Sequence, residues 1–253
     1  MTEAEIHHLL LMGVFALAGV VFAATGLISA PYGRHARRGW GPTLSDRVGW
    51  IVMESPAVFL FAFVYSLGSH ARETVPLIFC TMWLAHYAHR SLWYPLRRRD
   101  SGRRMPAPVV AMGFVFNALN AYINARWISE LGPLRTLGWL VSFRFLYGFT
   151  VFATGYFINR WADARLRRLR RPGDTGYKIP RGGLFDEVSC PNYLGELLMW
   201  IGWSIATWSL AGLSFAVFTA ANLVPRAVSH HRWYRRRFPD YPKRRKAIIP
   251  YLV

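Results

Sequence analysis

The chain has 253 residues, 53% of them hydrophobic and 16% aromatic, and a formal net charge of +18. A soluble protein this basic suggests nucleic-acid binding, because phosphates attract Lys and Arg. Here the basic residues cluster between long apolar runs, which describes a membrane protein and argues against a nucleic-acid partner.

A helix that crosses a bilayer needs about 20 mostly apolar residues. The sequence predicts seven such spans: Ile6–Ala30, Val48–Gly68, Pro76–Pro95, Pro108–Leu131, Leu137–Ile158, Leu194–Leu210 and Leu213–Val228. The last two are joined so briefly, through Ser209–Gly212, that one broken helix is an alternative. The first run is read as a helix and not as a cleaved signal, since its leader, Thr2-Glu3-Ala4-Glu5, has no basic residue. Arg34, Arg37, Arg38 and Arg47 follow the first span. Arg97, Arg98, Arg99, Arg103 and Arg104 follow the third. Arg160 to Arg171 follow the fifth, and Arg232 to Lys246 the last. The other connections carry few positive charges. This alternation predicts an all-α, polytopic protein with the N-terminus outside and the C-terminus in the cytosol. Cys80 and Cys190 stand alone and give neither a metal spacing nor a disulfide framework. No repeat or low-complexity tract divides the chain, so residues 1–253 read as one domain.

Polar residues inside the apolar runs are expensive and mark candidate sites. Glu54 lies seven residues past Arg47, on the order of 10 Å into the bilayer at about 1.5 Å per residue. Tyr87, ten residues before Arg97 on an oppositely directed span, lies roughly 15 Å in. The similar depth allows the two to meet. Alternatively, Glu54 pairs with Arg90 or His89 as polar glue between helices. His86, Tyr87, His89 and Arg90 are four polar residues within five positions, and a polar cavity opening to the cytosol would satisfy them. Farther on, Asn159 and Asp163 share a helix face at the end of the fifth span, as do Asn192 and Glu196 at the start of the sixth. Between them, Pro172-Gly173 signals a turn, and Gly182-Gly183 a turn or a close backbone approach. Arg226, His230, His231, Arg232 and Tyr234 leave the last span, and the apolar end Ala247–Val253 is expected to fold back. These loops offer Arg for phosphate oxygens and Asn or Asp for amide and ribose groups, so an anionic cofactor from the cytosol is the expected guest. No Rossmann fingerprint, P-loop, H-E-x-x-H or G-x-S-x-G is present.

Several runs together resemble the steroid 5α-reductase family. They are Gly182-Gly183-Leu184-Phe185, Pro191-Asn192-Tyr193-Leu194-Gly195-Glu196, Ala206-Thr207-Trp208-Ser209, His230-His231-Arg232-Trp233-Tyr234 and Tyr241-Pro242-Lys243-Arg244-Arg245-Lys246. Glu54-Ser55-Pro56 and His86-Tyr87-Ala88-His89-Arg90 extend the likeness into the N-terminal half. The resemblance implies a seven-helix enzyme of a bacterial inner membrane that uses NADPH to reduce the Δ4 double bond of 3-oxo-steroids. It implies that Glu54 and Tyr87 engage the substrate 3-keto oxygen. It assigns cofactor contacts to Arg90, Arg103, Asn159, Asp163, Arg170, Tyr177, Asn192, Glu196, His230 and Tyr234. Residues 1–131 then hold the substrate-side polar groups and 132–253 the cofactor motifs. Met53 stands where the animal enzymes have Gln, which removes a polar contact from the substrate pocket. The expected partners are a steroid or another apolar enone taken from the bilayer, and membrane lipids, with no obligatory protein partner. The alternatives are a reductase of another enone or enoyl lipid, a membrane methyltransferase using S-adenosylmethionine, and a lipid-binding or scaffold protein.

Overall fold

The computed structural model describes residues 1–28, 33–35, 37, 39–97, 102, 104–169 and 176–253. Arg38, Arg98, Arg99, Arg103, Arg170, Arg171, the end of the first run at Ala30 and the turn at Pro172-Gly173 lie outside the described residues. The chain is mostly helical. Its helices are α1 (Glu3–Leu27), α2 (Asp46–Glu54), α3 (Phe59–Ser66), α4 (Thr74–Ala88), α5 (Tyr94–Arg97), α6 (Ala107–Arg126), α7 (Phe143–Arg168), α8 (Pro191–Thr207) and α9 (Leu210–Arg237). One small antiparallel ribbon pairs β1 (Thr43–Ser45) with β2 (Arg104–Pro106), in the register Leu44 to Met105. Four helical stretches are long and apolar enough to cross a membrane: Glu3–Leu27, Asp46–Ser66, Ala107–Leu131 and Leu210–Arg237. The other three apolar runs are helical as well. However, α4 and α8 have only 15 and 17 residues, and α7 carries Arg144, Asn159 and Arg160 along its length.

Each helix end has a local cause. Thr2 and Glu5 cap α1 reciprocally, each side chain accepting from the other's backbone N–H. The buried stripe of α1, His7, Leu11, Val14 and Ala18, keeps helical spacing and packs on Ile123, Ala211, Phe218 and Ala221. Its first turn is clamped to the end of α6, because Arg126 donates two bonds of 2.6 and 2.7 Å to Glu3. α9 contains Pro225, which cannot donate to the Ala221 carbonyl one turn back. Thr25 of α1 donates to that carbonyl instead, at 3.3 Å. The bond also shows that α1 and α9 run in the same direction, since Leu11 and Val14 meet the earlier turns of α9.

The tightest joint is between α7 and α8, which run antiparallel. Gly148 and Gly155 on α7 face Gly195 and Gly202 on α8, and each pair is seven residues apart. A Cβ on Gly155 would fall on the backbone of Met199 and 2.5 Å from the Gly195 carbonyl oxygen, and one on Gly202 would fall on the backbone of Phe152. Small residues let two backbones touch, as helices in lipid require.

α8 and α9 are two separate helices, not one broken one. Trp208 takes a left-handed conformation with φ 47° at the end of α8, and the Ser209 hydroxyl accepts from Gly212 N–H at 2.9 Å to start α9. α9 runs on to Arg237, nine residues past the predicted limit at Val228. The tail then folds back as expected, though only in part. Lys246 N–H donates to Glu187 O, Ser189 N–H to Lys246 O and Cys190 N–H to Ala247 O. Ala247 and Ile248 join a core with Cys190, Leu197 and Ala227, while Tyr251 and Leu252 are exposed.

Candidate functional site

The Asp46–Ser66 stretch is broken where Glu54 sits. Pro56 has no N–H for the Val52 carbonyl, and the Ser55 hydroxyl donates to it at 2.9 Å instead. A 3₁₀ turn over Ser55–Ala57 follows, and the Trp83 indole of α4 donates to Ala57 O at 2.8 Å. The break is thus held from the neighbouring helix, and it leaves Glu54 at the inner end of α2, 6% exposed. On the other side, α4 passes into a π-turn over His89–Trp93. Such a turn inserts one extra residue and re-aims the side chains that follow. Here it carries Arg90.

Arg90 is the hub. Its Nε lies 3.5 Å from Glu54 Oε1 and its Nη1 3.4 Å from Glu196 Oε2. The guanidinium also covers the Trp50 ring at 5.1 Å, and the Trp50 indole donates to Arg90 O at 3.2 Å. Of the two partners foreseen for Glu54 as polar glue, the ion pair forms with Arg90. His89 rests half-buried against Tyr94. Tyr87, 3% exposed, stacks on Trp200 at 5.6 Å and leans on Trp83 at 5.0 Å. Its hydroxyl lies within electrostatic range of Glu54, Glu196 and Arg90. The acid and the phenol therefore share one buried neighbourhood, with Arg90 as the link.

The α7–α8 joint supplies another wall of the site. Asn159 is buried and donates to the Asn192 carbonyl at 2.9 Å. Asp163, half-buried just beyond the fifth apolar run, has its carboxyl pushed up to about 6 by burial, against the opposing pull of Arg90. The pairs Asn159/Asp163 and Asn192/Glu196 each share a helix face as their spacing predicts, and the structure adds that Glu196 and Asp163 lie within electrostatic range of Arg90. Tyr177, His230 and Tyr234 are held by a second set of contacts at the inner end of α9. His230 bridges His35 at 3.0 Å and the Tyr193 hydroxyl at 3.1 Å. Tyr234 is buried and stacks on Tyr241 at 5.2 Å, and Tyr177 meets Trp233 edge-on at 4.9 Å. Met53 lies half-buried against Gly113 of α6, and its carbonyl accepts from Asn117 at 2.9 Å. The assigned Arg103 and Arg170 lie outside the described residues.

Trp50 and Trp200 are site residues that the sequence reading passed over. Each was signalled by spacing, Trp50 four residues before Glu54 and Trp200 four after Glu196. No group of three His, Cys, Asp or Glu able to hold a metal occurs among the described residues.

Arg90→Met should cost about 3–5 kcal/mol of stability, because it leaves the buried Glu54 and the half-buried Glu196 without their cation. Thermal unfolding in detergent measures this, and an unchanged midpoint would show that the pairs contribute nothing.

Comparison with known proteins agrees with this arrangement. Residues 103–253 match the family described as 3-oxo-5-alpha-steroid 4-dehydrogenase. The chain is 45% identical over 231 residues to steroid 5-alpha-reductase DET2 of Arabidopsis thaliana, covering 89% of this chain and 88% of that one. It is 42% identical over 239 residues to human 3-oxo-5-alpha-steroid 4-dehydrogenase 1, covering 94% and 92%. With a buried tyrosine beside a Glu–Arg–Glu chain, and this identity along nearly its whole length, the chain belongs to the steroid 5-alpha-reductase family.

Proposed function

We propose that this chain reduces the Δ4 double bond of 3-oxo-Δ4-steroids to 5α-reduced 3-oxosteroids, with NADPH as the reductant. The observation that carries this reading is Tyr87, buried on Trp200 within reach of the Glu54–Arg90–Glu196 chain. The names of the relatives support the substrate class.

An enone accepts hydride at its β carbon only if the charge growing on its carbonyl oxygen is stabilised. Tyr87 donates a hydrogen bond to the 3-keto oxygen. Glu54, ion-paired to Arg90, orients the phenol. The stacked face of Trp200 and the tilted ring of Trp83 exclude water from that hydrogen bond and so strengthen it. A proton then reaches the α carbon, completing the addition of H₂ across the double bond. When bound, NADPH supplies the hydride.

The residues present fit such a cofactor. A cavity of about 340 Å³ lined by Arg165, Arg168, Leu169, Ile179 and Arg181 opens at the last turn of α7. Arg160 Nη1, one to two turns earlier on α7, is buried without a hydrogen-bond partner among the described residues. Both suit phosphate oxygens. Asn159, Asp163, Tyr177, Asn192, Glu196, His230 and Tyr234 would hold the remainder, together with Arg90, Arg103 and Arg170. Arg170→Ala should weaken NADPH binding about tenfold or more, as expected for loss of a charge-assisted hydrogen bond, and leave steroid binding nearly unchanged. Equal affinities in titrations of both proteins would return Arg170 to a topology charge.

The proposed setting is a bilayer, a bacterial inner membrane, crossed seven times with the N-terminus outside. The parallel run of α1 and α9 supports an odd number of spans. Clustered Arg at the ends of α7 and α9 supports a cytosolic C-terminus. The steroid enters from lipid, and the reading requires no protein partner.

The test is purified protein with NADPH and a panel of Δ4-3-ketosteroids, with products identified by mass. Addition of H₂ supports the proposal. Folded protein that reduces none of them, or that is stabilised by S-adenosylmethionine and not by NADPH, overturns it.

A further inference from the structure

The α6 helix carries three asparagines on one buried face, Asn117, Asn120 and Asn124. Their hydrogen bonds can be oriented without ambiguity. The Trp203 indole N–H is only a donor, and it meets Asn124 Oδ1 at 3.0 Å. Asn124 must therefore present its NH₂ to Asn120, where it donates to Oδ1 at 2.9 Å and to the backbone carbonyl at 3.1 Å. Flipping Asn120 would set two NH₂ groups against each other. Its own NH₂ thus points away from the ladder. That nitrogen is buried in a residue 1% exposed, and it has no acceptor among the described residues.

A buried donor without an acceptor is costly and calls for a partner. The position suggests which. Asn117, one turn earlier on α6, donates to the carbonyl of Met53, next to Glu54. Trp203, at the other end of the ladder, touches Trp83 and Trp200 at ring distances of 5.5 and 6.4 Å, and both of those rings flank Tyr87. Asn120 thus stands about one turn farther along α6 than the residue that holds Met53, and its ladder ends on the rings that flank Tyr87.

We propose that Asn120 is a specificity-determining residue that donates a hydrogen bond to a second oxygen on the substrate, remote from the enone. This rests on the steroid-reductase reading. The fixed ladder explains the selectivity: Asn120 can offer hydrogen atoms there but no lone pair, so it recognises a carbonyl or hydroxyl oxygen and disfavours bare hydrocarbon.

The test compares androst-4-en-3-one with counterparts bearing one keto or hydroxyl group at C11 or C17. Wild-type protein should favour one oxygenated counterpart by tenfold or more in kcat/KM. Asn120→Leu should abolish that preference, mostly through KM, while kcat/KM for unsubstituted androst-4-en-3-one stays within about twofold. Asn120→Asp keeps the oxygen that Asn124 needs and should lose the preference too. Wild-type protein that reduces all of these steroids without preference overturns the inference, whatever the variants do. So does a folded Asn120→Leu variant that keeps the preference. A buried water as the partner of Asn120 would give the first of these results. Failure to reduce any steroid would instead remove the reading on which the inference rests, and the inference with it.

Discussion

Tyr87→Phe is expected to lower steroid turnover by roughly 100- to 10,000-fold, the range for loss of a positioned acid or an oxyanion donor, with NADPH binding nearly intact. The ring stays and so does its stack on Trp200. Only the hydroxyl goes, and with it the proposed donor to the 3-keto oxygen. Glu54→Gln should lose most turnover as well, for a different reason. The amide fits the same space, but Arg90 loses one of its two carboxylates, and the phenol loses a charged acceptor to orient it. The two variants therefore differ in stability. Tyr87→Phe should melt like the wild type, whereas Glu54→Gln should shift the midpoint. Single-turnover reduction at saturating NADPH measures the first effect, and thermal unfolding the second. Normal turnover in both variants would remove the pair from the mechanism.

The largest structural effect is expected at the α7–α8 joint. Gly202→Val places carbons where the backbone of Phe152 already lies, and neither helix can yield without parting along its length. Overpacking against side chains costs about 1–3 kcal/mol. Overpacking against backbone should exceed that, in a protein whose whole stability is of order 5–15 kcal/mol. Little folded protein should be recovered. Gly13→Val is the control, because nothing lies within 4 Å of a Cβ there, and it should melt within a few degrees of the wild type. Equal yields of folded Gly202→Val and Gly13→Val would show that the joint is looser than its geometry.

The helices were legible because burial in lipid demands apolar length, and each of the seven runs is helical. What the runs hid is where helices break. Pro56 signals the turn after Glu54, but no residue of His89–Trp93 announces a π-turn. That turn brings Arg90, rather than His89, to Glu54. The paired spacings Asn159/Asp163 and Asn192/Glu196 place each pair on one helix face, since i,i+4 residues are neighbours there, but they do not say that the two faces meet. Two further patterns were equally visible and went unread. The seven-residue glycine spacing acquires meaning only when both helices are seen to face each other. The asparagines of α6 acquire theirs only when Trp203 fixes which way each amide points.

The return of the tail has a consequence for biogenesis. Ala247 and Ile248 complete the packing of Cys190 and Leu197 at the N-terminal end of α8, and the strand-like bonds from Lys246 to Glu187 and Ser189 lock them in place. Those residues are synthesised after every helix of the bundle. The packing of α1 on α6 and the glycine joint of α7 with α8 need nothing from them and can assemble while the ribosome is still translating. The end of the bundle where Asn192 and His230 lie closes only once Lys246 to Ile248 have emerged, so nascent protein stalled before Lys246 would hold all its helices yet remain open on its arginine-rich side.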